Sequence, residues 1–279
     1  VVVIRILVET LSQARAITRR DVYYRDVRLF SRQTAVDGVI DDLSYSLGLP
    51  CYELGVIASQ KGLIFGDLRM EFANPGLIPV IPEKAKIFLD DDINAPHRLE
   101  YILVVEKEAV FKTLVDLETG RDGEGVSHNR IIVTGKGFPD QLTKRCIRNL
   151  ATSFPQVPIF AFVDSDVYGL MILRHYSNQN EQNSHIPLIR YMGVELFDYS
   201  SGWLEITMRD FRVMKNFLVS LSHFSYANRR AATEHCRWSR EIQRGMFCFK
   251  KSEMNVVSNK SVQDIDEYVN EKVKRYFQN

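Results

Sequence analysis

Two sets of residues in this sequence are chemically capable. In RRDVYYRDVRLF (19–30) the adjacent Tyr23 and Tyr24 stand among four arginines and two aspartates. A phenol is a poor nucleophile at neutral pH, because its ordinary pKa is about 10. Guanidinium groups beside it would stabilise a phenolate and would also hold a phosphate. A tyrosine pair on an amphipathic helix has a packing explanation too, and the residues alone leave both open. The second set is acidic. Glu106 and Glu108 follow the apolar run YILVV (101–105), and Asp164 and Asp166, in DSD, follow PIFAFV (158–163). TGKGFPD (134–140) adds Lys136 between two glycines. Carboxylates gathered on one edge repel one another unless a cation sits among them. Hard oxygen donors in that number favour Mg²⁺, which would stabilise charge on a phosphodiester in transit. Each acid alone reads as a solvated loop residue; the combination points to a site.

Something must position these groups. Residues 8–47 read as helical, with Val36, Val39, Ile40, Leu43 and Leu47 at three- and four-residue spacing. GLP (48–50) interrupts the pattern, and Pro50 suits the first position of a short helix over PCYELGVIAS (50–59). KGLIFGDLRMEF (61–72) alternates as a strand pair, with Gly62 and Gly66 as turn residues. Helix, turn, short helix and β-ribbon together predict a winged helix-turn-helix domain. Residues 72–98 carry four of the nine prolines and an acidic run. They read as the transition between domains: the first over 1–82, a linker over 83–98 and the second over 99–279.

The second domain alternates strands with helices. Strands are expected at 101–105, 130–135, 158–163 and 186–194, with helices at about 107–117, 140–153 and 167–177. Short apolar strands separated by helices imply an α/β fold with a parallel, doubly wound sheet. Ligands of such sheets sit at the carboxyl ends of the strands, where the acids are. Residues 203–279 read as mainly helical.

Composition narrows the class. The 279 residues are 45% hydrophobic and 25% charged, as in an ordinary globular protein. The apolar runs are too short to span a membrane, and VVVIRILV, broken by Arg5, is no signal peptide. Cys51, Cys146, Cys236 and Cys248 form no C-x-x-C pair, which argues against a zinc ribbon or disulfide scaffold and fits a reducing compartment. A net charge of +1 offers no global field for nucleic acid, although Arg15, Arg19, Arg20, Arg25, Arg28 and Arg32 cluster locally.

A strand-end glutamate followed by a strand-end D-x-D resembles the Toprim domain of topoisomerases and primases. RRDVYYRDVRLFSRQ, SQKGLIFGDL, LVVEKEAVFKTL, VTGKGFPDQLTKR and FVDSDVYGLMIL together resemble the topoisomerase VI A family and its eukaryotic branch, the meiotic double-strand-break transesterase. The likeness keeps its order over nearly the whole chain, reaching WSREIQRGMFCFKKSEMNVVS and IDEYVNEKV. EKEAVF and GKGFPD are more similar to the meiotic branch.

This resemblance implies a winged-helix domain followed by a Toprim domain, a Rossmann-like parallel sheet with a helical C-terminal tail. It implies that Tyr24 attacks the DNA backbone while Tyr23 packs or orients, and that Arg20, one turn before Tyr24, positions phosphate or stabilises the phenolate. The 3′-oxygen would leave, so that the protein ends on the 5′ phosphate. Glu106, Asp164 and Asp166 match the family's metal ligands, for Mg²⁺ or Mn²⁺ in its place. Glu108 would be an additional acid, and Lys61 and Lys136 DNA contacts. The implied partners are double-stranded DNA, a second copy of the chain (a homodimer for cleavage), meiotic accessory proteins and a topoisomerase VI B-like subunit. The implied location is the nucleus, on meiotic chromosomes. The sequence holds no G-x-x-x-x-G-K-[ST] loop, so coupling to ATP would need the B-like partner.

Three departures stand out. PCYEL (50–54) lacks the basic residues the family usually has there, which weakens phosphate contacts. Val167 replaces a usual proline, and GVELFDYSSGWLEIT lacks the family's pattern. None removes a group the reaction needs. The alternatives are a type IIB topoisomerase component that reseals DNA, a non-catalytic DNA-binding scaffold, and a Toprim nuclease or primase that needs no tyrosine.

Overall fold

The computed structural model describes residues 1–57, 61–66, 68–71, 86–89, 99–120, 129–177, 187–222, 229–258, 261 and 263–278. They form two compact units, the first from residues 1–57 with 140–142 and the second from the other described residues. The expected linker over 83–98 lies outside the described residues except for one short strand.

The first unit contains α1 (Val2–Ser12), β1 (Ile17–Thr18), α2 (Arg19–Arg25), α3 (Val27–Phe30), α4 (Gln33–Leu47) and β2 (Val56–Ile57). Its core joins Val3, Ile6 and Leu7 of α1 to Val22, Val36, Ile40, Leu54 and Val56. The continuous helical pattern expected from residue 8 to 47 is broken into pieces. Ala14 and Ser31 adopt positive φ and turn the chain between them. Over its described part, residues 50–57, the helix expected over 50–59 is absent: residues 51–55 are turns, and Val56–Ile57 pairs in parallel with Ile17–Thr18, while 58 and 59 lie outside the described residues. Gly55, at φ +73°, is the physical reason, because it turns the chain out of helical geometry and into β-branched residues that suit a strand.

The second unit is built on a five-stranded sheet. Its strands are β3 (Leu63–Phe65), β6 (Tyr101–Val105), β7 (Arg130–Thr134), β8 (Ile159–Phe162) and β9 (Ile189–Gly193). The order is β3-β7-β6-β8-β9, with the last four parallel and β3 an antiparallel edge. The remaining strands of this region, β4 (Leu68–Glu71) and β5 (Lys86–Leu89), pair with each other. Residues 61–72 therefore supply two strands as expected, but not a pair. β3 is claimed by β7, a long-range partner that local alternation cannot reveal.

Helices α5 (Glu108–Thr119), α6 (Gln141–Ser153) and α7 (Val167–Ser177) make the crossovers, followed by α8 (Met208–Ser222), α9 (Arg229–Cys248) and α10 (Gln263–Gln278). A small ribbon of β10 (Leu204–Glu205) with β11 (Lys250–Lys251) and a 3-10 helix over Met254–Ser258 complete the described elements. Tyr101, Leu103, Val105, Ile132, Phe160 and Phe162 pack against α5 and α10 through Val110, Leu114, Ile265 and Val269. Ile102, Val104, Ile131, Val133 and Ala161 alternate with them and are equally buried. Right-handed crossovers in this strand order put α6 and α7 on that second face. Burial on both faces is why these strands read as unbroken apolar runs.

One buried ionic cluster ties β7 to α5, β6 and α10. Arg130, 2% exposed, donates to Tyr101 Oη at 2.9 Å and Asp266 Oδ1 at 2.7 Å, and also to Glu118 Oε1. Arg130→Ala strips the cation from between two buried acids and is expected to destabilise this unit by about 3–5 kcal/mol. Urea unfolding would show it as a lower midpoint at unchanged slope; an unaltered midpoint would mean that the cluster is energetically idle.

Candidate active site

The strand order reverses between β6 and β8, since β7 lies beyond β6 on one side and β9 beyond β8 on the other. Chains leaving these two strands diverge to opposite faces and leave a crevice at their carboxyl ends. Glu106 follows β6, and Asp164, Ser165 and Asp166 follow β8.

Backbone pairing runs one step past the strands, with Glu106 N–H donating to Phe162 C=O at 3.1 Å. Glu106 Oε2 then accepts from Asp164 N–H at 2.9 Å, so the first acid braces the loop that carries the others. Asp164 Oδ1 accepts from Met254 N–H at 2.8 Å, and Oδ2 lies 3.0 Å from Lys107 Nζ. Lys107 reaches Glu253 Oε2 at 3.1 Å as well. Asp166 Oδ1 accepts from Gly169 N–H at 2.8 Å and so caps the N-terminus of α7. That helix approaches so closely that a Cβ at Gly169 would collide with the Asp164 carbonyl.

Burial dominates the electrostatics. It raises the pKa of all three acids, and the neighbouring Asp164 charge pushes Glu106 further, to about 7. Three desolvated carboxylates hold more negative charge than Lys107 and the backbone N–H groups offset. Their donors are the hard oxygens that Mg²⁺ takes, and their unmet charge is what a divalent cation would balance. The residues fit such an ion chemically. They are not gathered as a finished cage: among the described residues no three Asp, Glu, His or Cys side chains are placed to hold a metal.

Glu108, the first residue of α5, is turned to Lys112 at 2.9 Å and Lys136 at 3.2 Å, and these hydrogen bonds lower its pKa. Lys136 is thereby drawn to the β6 side of the crevice, while Lys61 is exposed just before β3. Sequence reasoning missed Lys107, Glu253 and the Met254 N–H. Lys107 lies between two acids in VEKEAV, where its charge was a usable signal; the other two come from far along the chain.

The tyrosine pair belongs to the first unit. Thr18 and Asp21 form a reciprocal capping box at the start of α2. Val22 is fully buried, and Arg19 is held by Asp41 at 2.5 Å and by Cys51 Sγ at 3.3 Å. With that face fixed, Tyr23 packs against the unit's core, while Tyr24 is 62% exposed beside Arg20, which is also exposed. The two rings touch at a tilt, centroids 5.5 Å apart.

The family model for the Toprim domain of topoisomerase 6 A/Spo11 proteins matches residues 101–273, and that for type IIB DNA topoisomerase matches residues 1–56. The meiotic recombination protein rec12 of Schizosaccharomyces pombe is 30% identical over 89% of this chain and 70% of its own length. The meiosis-specific protein SPO11 of Saccharomyces cerevisiae is 28% identical over 91% of this chain and 69% of its own. The A3 form of DNA topoisomerase 6 from Oryza sativa subsp. indica is 30% identical over 90% of this chain and 57% of its own.

Proposed function

The chain belongs to the topoisomerase VI A/Spo11 family, and from that premise we propose that it is a DNA-cleaving transesterase that makes the double-strand breaks initiating meiotic recombination. The observation that carries this reading is the set of acids with raised pKa, the buried Asp164 with the half-buried Glu106 and Asp166, at the carboxyl ends of the strands where the sheet order reverses.

Tyr24 Oη attacks a backbone phosphorus as the nucleophile. The bond from phosphorus to the 3′-oxygen breaks, and the 3′-hydroxyl end departs with a proton. The 5′ phosphate stays on the tyrosine as a phosphodiester, so cleavage needs no ATP. Arg20 holds a non-bridging phosphate oxygen and steadies the phenolate. Glu106 and Asp166 would hold Mg²⁺, with Asp164 as the third ligand. When bound, the ion supplies charge stabilisation at the phosphate in transit. Lys107 keeps Asp164 oriented, and Lys61 and Lys136 contact the DNA backbone. Of the expected spans 1–82 and 99–279 we assign residues 1–57 to the tyrosine-bearing winged-helix domain and 99–279 to the Toprim domain, whose sheet also takes β3 (Leu63–Phe65) from the first span. Tyrosine and acids belong to different domains, so two copies of the chain would complete each other's sites, in a nuclear assembly with meiotic accessory proteins and a topoisomerase VI B-like subunit.

The test is recovery of DNA covalently bound to protein after incubation with duplex DNA and Mg²⁺ or Mn²⁺, with partner proteins present, followed by denaturation. Protein-linked 5′ ends support the proposal. DNA binding without any adduct would replace it with the scaffold reading.

A further inference from the structure

Resting on that reading, a second question is what holds the Asp164–Asp166 loop in place. Ser165, between the two acids, is buried and donates its hydroxyl to Glu241 Oε1 at 2.7 Å. Glu241 lies on α9, 76 residues along the chain, and is 5% exposed. The same oxygen accepts from Leu196 N–H at 2.5 Å, and Oε2 faces Arg244 Nη1 at 3.2 Å. The Ser165 backbone is also pinned: its N–H donates to Ser252 C=O at 2.8 Å, and Ser252 N–H returns a bond at 3.2 Å. Two residues beyond Ser252, Met254 supplies the N–H on Asp164 Oδ1.

The residue between the acids is thus gripped by side chain and backbone from elements that follow it in the chain. A buried carboxylate is costly to desolvate and persists where its oxygens are met. Here one of the donors that meet them is the loop's central hydroxyl. We infer that Glu241 is a positioning residue for the Toprim acids, acting through Ser165 Oγ to fix the spacing of Asp164 and Asp166 against Glu106. Groups behind metal ligands commonly set affinity by fixing ligand orientation, and their loss weakens binding by roughly ten- to a hundredfold.

Two properties separate this role from general support of the fold. Glu241→Gln keeps an oxygen for both Ser165 and Leu196 while removing the charge. Ser165→Ala removes the loop's end of the contact, and with it the hydroxyl's hydrogen bond with Tyr191, and leaves Glu241 with Leu196 and Arg244. The experiment is a titration of the metal-free chain with Mn²⁺, with free ion read by electron paramagnetic resonance, on wild type, Glu241→Ala, Glu241→Gln and Ser165→Ala. Asp164→Ala gives the baseline, and near-UV circular dichroism checks the fold. The expected result is Mn²⁺ affinity lowered roughly ten- to a hundredfold in Glu241→Ala and Ser165→Ala and largely recovered in Glu241→Gln. Folded Ser165→Ala with wild-type affinity would overturn the positioning role alone, and it decides the matter even if Glu241→Ala does not fold. Wild type that binds no Mn²⁺ would instead remove the metal reading and this inference with it.

Discussion

Tyr24→Phe is expected to abolish the covalent protein–DNA adduct, lowering its rate of formation by at least about a thousandfold, as loss of a nucleophile does elsewhere. Tyr23→Phe should leave most of it. The two phenols are neighbours in sequence but not in environment. The capping box at Thr18 and the burial of Val22 fix the rotation of α2. That rotation lays Tyr23 against the core of the first unit and turns Tyr24 to solvent with Arg20 on the same face. An exposed phenol beside a guanidinium can reach a phosphate in DNA; a ring packed on a core cannot without disturbing the helix. The measurement is a single-turnover assay with labelled 5′ ends, separating protein-linked from free DNA. Cleavage that persists in Tyr24→Phe with free 5′ phosphates would sink the transesterase reading in favour of a hydrolytic Toprim nuclease.

How far the sequence disclosed all this depended on the range of the interactions. The strands at 101–105, 130–134 and 159–162 were legible because both faces of each are buried and their apolar runs are unbroken. The acids were legible because those runs end in Glu106 and in DSD, and a parallel sheet delivers such ends to one edge. Local signals misled where a distant partner or an unusual φ decided the outcome. Nothing about Ser31 or Ala14 announces positive φ, and the partner of β3 lies almost 70 residues away. The same limit hid the supports of the site. Lys107 meets Glu253 across 146 residues, and Ser165 meets Glu241 across 76. Chemistry-bearing residues are visible as types, whereas what orients them is visible only after folding.

The metal-free protein should become less stable as pH rises from about 4.5 to about 7, and Glu106→Gln should remove much of that loss. Glu106 titrates near 4.5 in the unfolded chain and at about 7 in the folded one. Below the lower value it is protonated in both states and costs nothing. Between the two, the unfolded chain has released its proton and the folded chain still holds it, so each step upward in pH favours unfolding. Above about 7 the loss is complete, and the raised pKa values of Asp164 and Asp166 act in the same direction. Glutamine is neutral throughout. At pH 8 Glu106→Gln should therefore exceed wild type in stability by on the order of 2 kcal/mol, seen as a higher thermal midpoint. Added Mg²⁺ should raise the wild-type midpoint at that pH and leave the variant's unmoved. The variant should nevertheless form no adduct, because an amide lacks the charge of a carboxylate ligand. Greater stability joined to lost activity marks a group retained for chemistry at the expense of the fold. If Glu106→Gln proved less stable than wild type at pH 8, Glu106 would instead be a structural acid whose hydrogen bond to Asp164 N–H outweighs its burial.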